Sequence, residues 1–328
     1  MTTLRRPFLV LGLLFIGVLV FSIFLGRYPA PYWMPLSTLR SDLLAQRLVV
    51  NLRLPRILAA CLLGMSLAAG GTVLQMIFRN PLVEPGFLGV SPGAAFGAAF
   101  SILFLDGGPA VVEVTAALFA GLGLAGSYVL ARAIRYGGWI LRLVLAGIIV
   151  SALFSAGLGV LKYMADPLTE LPEIVFWTLG ALWGVTWADV AYMLPLVVPG
   201  LVVVYLMRWR LNVLALPEET AFSMGTAPGR ERSLLLAAAV AAVAAVVSVA
   251  GAVGWVGLIV PHVSRRLVGA DAQKALPASM LIGGTFALLC DDVARTIVAG
   301  EVPLGILTAL FGATGFLLLM IRRTPQVG

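Results

Sequence analysis

Charge is what this sequence has least of. Only 11% of its 328 residues are Asp, Glu, Lys or Arg, against roughly 25% in soluble domains, while 61% are hydrophobic. That deficit excludes an ordinary water-soluble domain and identifies a polytopic membrane protein. Lysine is nearly missing: Lys162 is followed by Tyr and Lys274 by Ala. A G-x-x-x-x-G-K-[ST] phosphate loop is therefore excluded, and the chain does not bind ATP in that way. The single histidine, His262, excludes a multi-histidine metal centre and reads as a structural hydrogen bonder near a helix turn. Cys61 and Cys290 lie within or at the edge of apolar runs, so both read as packing residues rather than a disulfide or metal pair. No Ser/His/Asp arrangement stands at a recognisable spacing, which leaves no basis for an intramembrane enzyme. The hydrophobic runs hold no carboxylate, Lys or Arg at mid-depth, where ion-coupled carriers keep their relays. A self-powered secondary carrier is the weaker reading for that reason.

What is present is hydrophobic length. Uncharged runs cover 7–26, 57–78, 85–105, 114–131, 143–161, 190–207, 233–264, 275–290 and 302–321. The run 233–264 has 32 residues, about 48 Å as one straight helix against a hydrocarbon core of about 30 Å. It contains Gly251, Gly254, Gly257 and Pro261, residues that break or bend helices. If it crosses, turns at the glycines and returns, fifteen basic residues fall inside and seven outside. If it crosses once, the split is eleven to eleven. The net charge of +7 comes as single residues and pairs, with no Lys/Arg run. It fits cytoplasmic loops rather than nucleic acid, and the positive-inside rule selects the first topology. The expectation is an all-α polytopic membrane protein with ten transmembrane helices and both termini cytoplasmic, forming one transmembrane domain over 1–328. The first 26 residues mimic a signal peptide, but the run is too long and a small-x-small cleavage site is lacking, so they read as a retained helix.

In this topology Pro261, His262 and Arg265 point towards the cytoplasm, and Asp291, Arg295 and Glu301 share the outer face. A helical stretch over 38–51 lies at the outer surface and ends at Arg53 and Arg56. Interfacial anchoring is one account of these arginines. Five arginines in the outside loop 27–56 run against the charge bias, so a docking partner is the other. Gly93 and Gly97 form a GxxxG pair suited to close helix approach, and the aromatics of 162–189 suit a short interfacial helix. The longest inside loop, about 211–232, predicts a helix of about eight residues. Pro217 stands at its first position, Glu218 and Glu219 in its first turn, and Gly225 at its stop. Such a helix is marginal in water, so the bilayer surface or, ahead of it, another protein should hold it.

Three stretches carry a resemblance. RLPRILAACLLGMSLAAGGTVLQMIFRNPLVEPGFLGVSPGA, GWVGLIVPHVSRRLVGAD and DDVARTIVAGEVPLGILTALFGATGF resemble, in order, the signatures of the FecCD family of ABC importer permeases. Gly254, Gly257, Pro261, His262, Arg265, Asp291, Glu301, Pro303 and Gly305 lie in the second and third. The resemblance implies a type II ABC importer permease in a bacterial or archaeal inner membrane. The subunit works with a second copy or a related permease, two cytoplasmic ATPases that bind the ATP and magnesium, and an extracytoplasmic binding protein. The chain itself holds no cofactor and is not an enzyme. The cargo is an iron chelate (siderophore or haem) or a corrinoid such as vitamin B12, with a molybdate or tungstate oxyanion as the alternative. The family role of the coupling helix falls on Leu216, Pro217, Glu218, Glu219, Ala221 and Gly225, with Pro217 where relatives have glycine. Binding-protein docking falls on Arg53, Arg56 and Arg295 as outward-facing arginines; for Arg295 the competing account is an i,i+4 pair with Asp291. The cytoplasmic gate falls on Asn80, Pro81 and Leu82. GATGF departs from the family's GAPFF.

Overall fold

A computed structural model describes residues 2–29, 32–105, 108–298 and 300–321. Arg322 and Arg323, two of the charges assigned to the inside, lie outside the described residues. Because no water is available to backbone groups in the bilayer core, long apolar runs must satisfy their amides internally as helices. That accounts for α1 (Thr2–Phe24) and α4 (Leu54–Phe78); between them the short α2 (Leu36–Ser41) and α3 (Leu43–Leu48) lead through a wide helical turn into α4. Then come α5 (Val90–Phe104), α6 (Gly108–Ala133), α7 (Trp139–Met164), α8 (Glu170–Leu179) and α9 (Trp187–Leu206). The inner connection holds α10 (Arg208–Leu214) and α11 (Glu218–Ser223), before α12 (Pro228–Ala250), α13 (Val256–Val268), α14 (Ala272–Ile297) and α15 (Leu304–Ile321). Two-residue strands pair Leu25 with Trp33 and Gly26 with Tyr32 at the exit of α1.

Among the described residues, eight helices are long and apolar enough to cross a membrane. The other two segments counted from sequence fold as α5, with 15 residues, and α13, with 13. Each is about 20–23 Å long, shorter than the hydrocarbon core. The 32-residue run breaks where its glycines stand. α12 ends at Ala250, Gly251 takes φ +70°, and α13 starts after Trp255, itself at φ +71°.

α4 is the hub. It is mostly buried, and its contacts are made by small residues that let backbones touch. A Cβ on Gly64 would fall 2.1 Å from the Gly283 carbonyl of α14, and one on Gly71 would fall 1.9 Å from the Gly257 carbonyl of α13. The Gly93/Gly97 pair does the same for α5 against α6, facing the carbonyls of Phe119 and Thr115. Cys61 and Cys290 are buried, free thiols on α4 and α14. The outward faces of α1, α6, α7 and α15 expose Leu, Val and Ile to the bilayer.

The start of α14 is anchored to α10. Asp271 caps α14 and accepts from Asn212 Nδ2 at 2.8 Å, while Asn212 Oδ1 accepts from Ala272 N at 2.9 Å. The Asn212 amide, then the Gln273 amide and Lys274, hold the Asp271 carboxyl below the usual carboxylate range. A depressed folded pKa stabilises above the unfolded value, about 4, and that contribution disappears as pH falls through the lower folded value. Amide exchange over 272–275 should therefore accelerate below about pH 4, and Asp271→Ala should remove that acid step.

Candidate functional site

Two polar regions stand at opposite ends of the helical core. At the outer end, α4 brings Arg56 against α14 and the segment before α15. Arg56 Nε donates to both Asp291 oxygens at 2.9 and 3.1 Å, and Nη1 donates to both Glu301 oxygens at 3.0 and 2.9 Å. Arg295 Nη2 pairs with Asp292 and donates to the Ser22 carbonyl of α1 at 2.6 Å. Ser22 Oγ donates to Asp292 Oδ2 at 2.5 Å. Arg53 donates to the carbonyls of Ile23 at 2.8 Å and Tyr28 at 3.2 Å. Three guanidiniums thus share one cluster with three carboxylates, and α1, α4 and α14 are tied at one level. Glu301, at φ +54°, is its most exposed carboxylate, with 37% of its side chain in contact with solvent. Pro303 follows, and Gly305 allows α15 to touch the Leu179 carbonyl at the end of α8.

The expectation of three outward-facing arginines is corrected here. Arg53 and Arg295 are only 8% and 7% exposed, and Arg56 is committed to two carboxylates. Arg295 pairs chiefly with Asp292, and its Nε stands 3.9 Å from Asp291. The physical reason is that α1 and α4 close over α14, which spacing along one helix cannot reveal. Asp291, Arg295 and Glu301 do fall together at one face.

At the inner end, Arg79 closes α4 in the left-handed region at φ +50°. Asn80 Oδ1 accepts from Leu82 N at 2.9 Å, and Leu82 is exposed. His262 Nε2 donates to the Pro81 carbonyl at 3.0 Å. One helical turn on, Arg265 Nη2 donates to Gln75 Oε1 at 2.5 Å, and Gln75 Nε2 reaches the carbonyls of Gly257 and Leu258 at 3.3 and 3.1 Å. The loop Asn80–Pro81–Leu82 is therefore held by α13.

α11 has six residues, fewer than the eight expected, and Pro217 stands one position before it rather than inside it. Glu218 and Glu219 occupy the first turn, Ala221 is buried, and Gly225 ends the helix at φ +75°. Arg79 donates to the Leu216 carbonyl, and Arg232 donates to the Leu214 carbonyl at 3.1 Å while facing Glu218 at 3.5 Å. With Asn212–Asp271, this inner segment is fixed to α4, α12 and α14. Phe222 nevertheless stands 72% exposed and Met224 58% exposed, an apolar tip on a polar loop.

Sequence reasoning missed Glu84, whose Oε2 accepts from Trp255 N at 3.3 Å and joins the loop after α4 to the start of α13. It lines a cavity of about 370 Å³ with Ser91, Ser151 and Gly254. Its signal was a carboxylate set inside the otherwise apolar NPLVEPG. Also missed was the grouping of Glu113, Glu173 and Asp189 with Trp177 and Trp183 around a cavity of about 510 Å³. Among the described residues, no cluster of three or more His, Cys, Asp or Glu is arranged to hold a metal ion.

Comparison with known proteins covers nearly the whole chain. The model of the FecCD transport family matches residues 13–322. The molybdate import system permease protein MolB of Haemophilus influenzae is 38% identical over 322 residues, covering 95% of this chain and 94% of that protein. The cobalamin import system permease protein BtuC of Halobacterium salinarum is 43% identical over 280 residues, 85% of this chain and 74% of that protein. A solved structure described as an inward-facing conformation of a metal-chelate type ABC transporter superposes with a TM-score of 0.88 at 38% identity. It covers 96% of this chain and 98% of that one.

Proposed function

This chain belongs to the FecCD transport family, and from that membership we propose that it is the membrane-spanning permease subunit of an ATP-driven importer. Its cargo is a bulky metal chelate of the iron-siderophore, haem or corrinoid class, moved inward by alternating access. The chain lacks a phosphate loop of its own, so the energy comes from elsewhere.

The observation that carries this reading is the inner segment 208–232. A helix as short as α11 is marginal alone, yet here buried Arg232, Arg79 and Asn212 fix its surroundings to three core helices. Phe222 and Met224 remain exposed at its tip. Rigid backing with an exposed apolar tip suits a protein that must push on the permease; Leu216, Pro217, Glu218, Glu219 and Gly225 form the contact with Phe222 and Met224, and buried Ala221 seats the helix. The partners are two cytoplasmic ATPase subunits that bind ATP and magnesium, a second copy or a related permease, and an extracytoplasmic binding protein. At the outer face, the exposed Glu301 is the group of this cluster that a docking protein meets first. At the inner face, Asn80, Pro81 and Leu82 form the gate.

Replacing both Glu218 and Glu219 by lysine should abolish co-purification with the ATPase while leaving the permease folded. Full ATPase binding by that variant would refute the assigned contact. A second cargo reading, a molybdate or tungstate oxyanion, is favoured by the similarity to the molybdate permease. Isothermal titration of the cognate binding protein with ferric chelates, haem, cobalamin and molybdate separates the two.

A further inference from the structure

The connection between α6 and α7 and the start of α12 enclose a cavity of about 590 Å³ at the inner face. Arg132, Arg230 and Arg232 line it, with Tyr128, Ser233 and one carboxylate, Glu218. Three guanidiniums against one carboxylate leave two net positive charges. Among the described residues, neither Arg132 nor Arg230 is paired with a carboxylate. Arg232 is only 2% exposed, yet its Nε has no hydrogen-bond partner among the described residues. Its other nitrogens are engaged by the Leu214 carbonyl at 3.1 Å and by Glu218 at 3.5 Å, so Arg232 anchors the wall of the cavity while Arg132 and Arg230 supply the charges that carry no carboxylate partner among the described residues.

The surroundings are ordered for an anion. Arg132 Nη2 donates to Tyr128 Oη at 3.2 Å, Tyr128 and Ser233 hydroxyls meet at 3.2 Å, and Ser233 Oγ donates to the Gly229 carbonyl at 2.8 Å. That chain holds Arg132 over the Tyr128 ring, 4.7 Å from its centroid. α12 begins here: Gly229 of its first turn lines the cavity, and Glu231 in the same turn accepts from the Ala227 amide at 3.3 Å, which leaves the positive end of the helix dipole beside the three arginines. Guanidiniums and a helix N-terminus together match the tetrahedral oxygens of a phosphate.

We propose that this cavity binds a phosphate group at the cytoplasmic face, carried either by an anionic phospholipid headgroup or by free inorganic phosphate. Val129 and Leu234, 67% and 51% exposed beside Tyr128 and Ser233, offer acyl chains a surface along α6 and α12. Basic pockets between membrane helices on the cytoplasmic side bind anionic headgroups in this way. Glu218 stands in the cavity as the chain's own anion, so an occupying phosphate competes with it for Arg232 and bears on the position of α11.

The test uses the full-length chain in nanodiscs and does not depend on any ATPase. Thermal stability is followed in phosphatidylcholine alone, in phosphatidylcholine doped with phosphatidylglycerol, and in phosphatidylcholine titrated with inorganic phosphate. Wild type should be stabilised by one probe or both. Arg132→Ala/Arg230→Ala, two exposed positions that leave buried Arg232 in place, should bind about a hundredfold more weakly, at about tenfold per charge-assisted contact. Arg132→Lys/Arg230→Lys should recover part of that loss. Response to phosphatidylglycerol alone assigns the headgroup; response to phosphate assigns the free ion. Equal responses from wild type and the alanine variant overturn the proposal. So does no response to either probe.

Discussion

Replacing Arg56 by alanine is expected to destabilise the permease by about 3–5 kcal/mol, the cost of leaving a buried charge without its partner. Asp291 has no exposed surface and loses three close contacts to the guanidinium, at 2.9, 3.1 and 2.9 Å. Arg295 does not replace it, because its nearest group stands 3.9 Å away and its main bond is to Asp292. Arg56→Lys should fall in between, since an ammonium keeps the charge but cannot engage two carboxylates as a planar fork. The double variant Arg56→Met/Asp291→Leu should be more stable than Arg56→Ala, because it removes both charges together. Thermal unfolding of the four proteins in one detergent tests the series. A double variant no better than the single would contradict the unpaired Asp291 charge as the source of the loss.

The second large effect concerns the backbone contacts of α4. Gly64→Ala places a methyl 2.1 Å from the Gly283 carbonyl, and Gly71→Ala places one 1.9 Å from that of Gly257. Backbone cannot swing aside as a side chain does, so α4 must separate from α14 or α13. Each substitution should cost at least the 1–3 kcal/mol usual for overpacking, and the pair should prevent folding. Gly12→Ala on α1 meets nothing within 4 Å. It should be neutral or stabilise by up to about 1 kcal/mol through helix propensity. Size-exclusion profiles and melting temperatures of the four variants decide the point. Monodisperse Gly71→Ala at wild-type stability would contradict the close packing of α4 on α13.

Elements whose cause lies within one turn of chain were legible beforehand. The break in 233–264 followed from glycines and length, and α11 followed from Pro217, its acidic first turn and Gly225. The GxxxG spacing predicted contact for α5, though not that α6 would receive it. What escaped was pairing between distant segments. Arg56 meets Asp291 across 235 positions and Glu301 across 245, and Glu84 meets Trp255 across 171. Helical spacing sees only neighbours three or four residues apart, so it admits both Asp291 and Asp292 as partners of Arg295; Arg56, from a different helix, takes Asp291 and leaves Asp292 to Arg295. For the same reason the outer arginines read as free charges. Of the ten crossings expected, eight helices among the described residues are long and apolar enough to cross, while α5 and α13 are shorter than the hydrocarbon core, a length that hydrophobic runs alone do not reveal.

These features serve one arrangement: an outer cluster joining α1, α4 and α14, and an inner segment fixed to α4, α12 and α14. α4 and α14 run between the two ends. Under the proposed function, motion imposed at α11 has a stiff route to the outer face. Uptake into proteoliposomes containing this chain and its ATPase measures that most directly. Radiolabelled cargo delivered by the binding protein should accumulate only with internal ATP, and Glu218→Lys/Glu219→Lys should abolish accumulation. Accumulation by vesicles holding this chain alone, without nucleotide, would contradict the account.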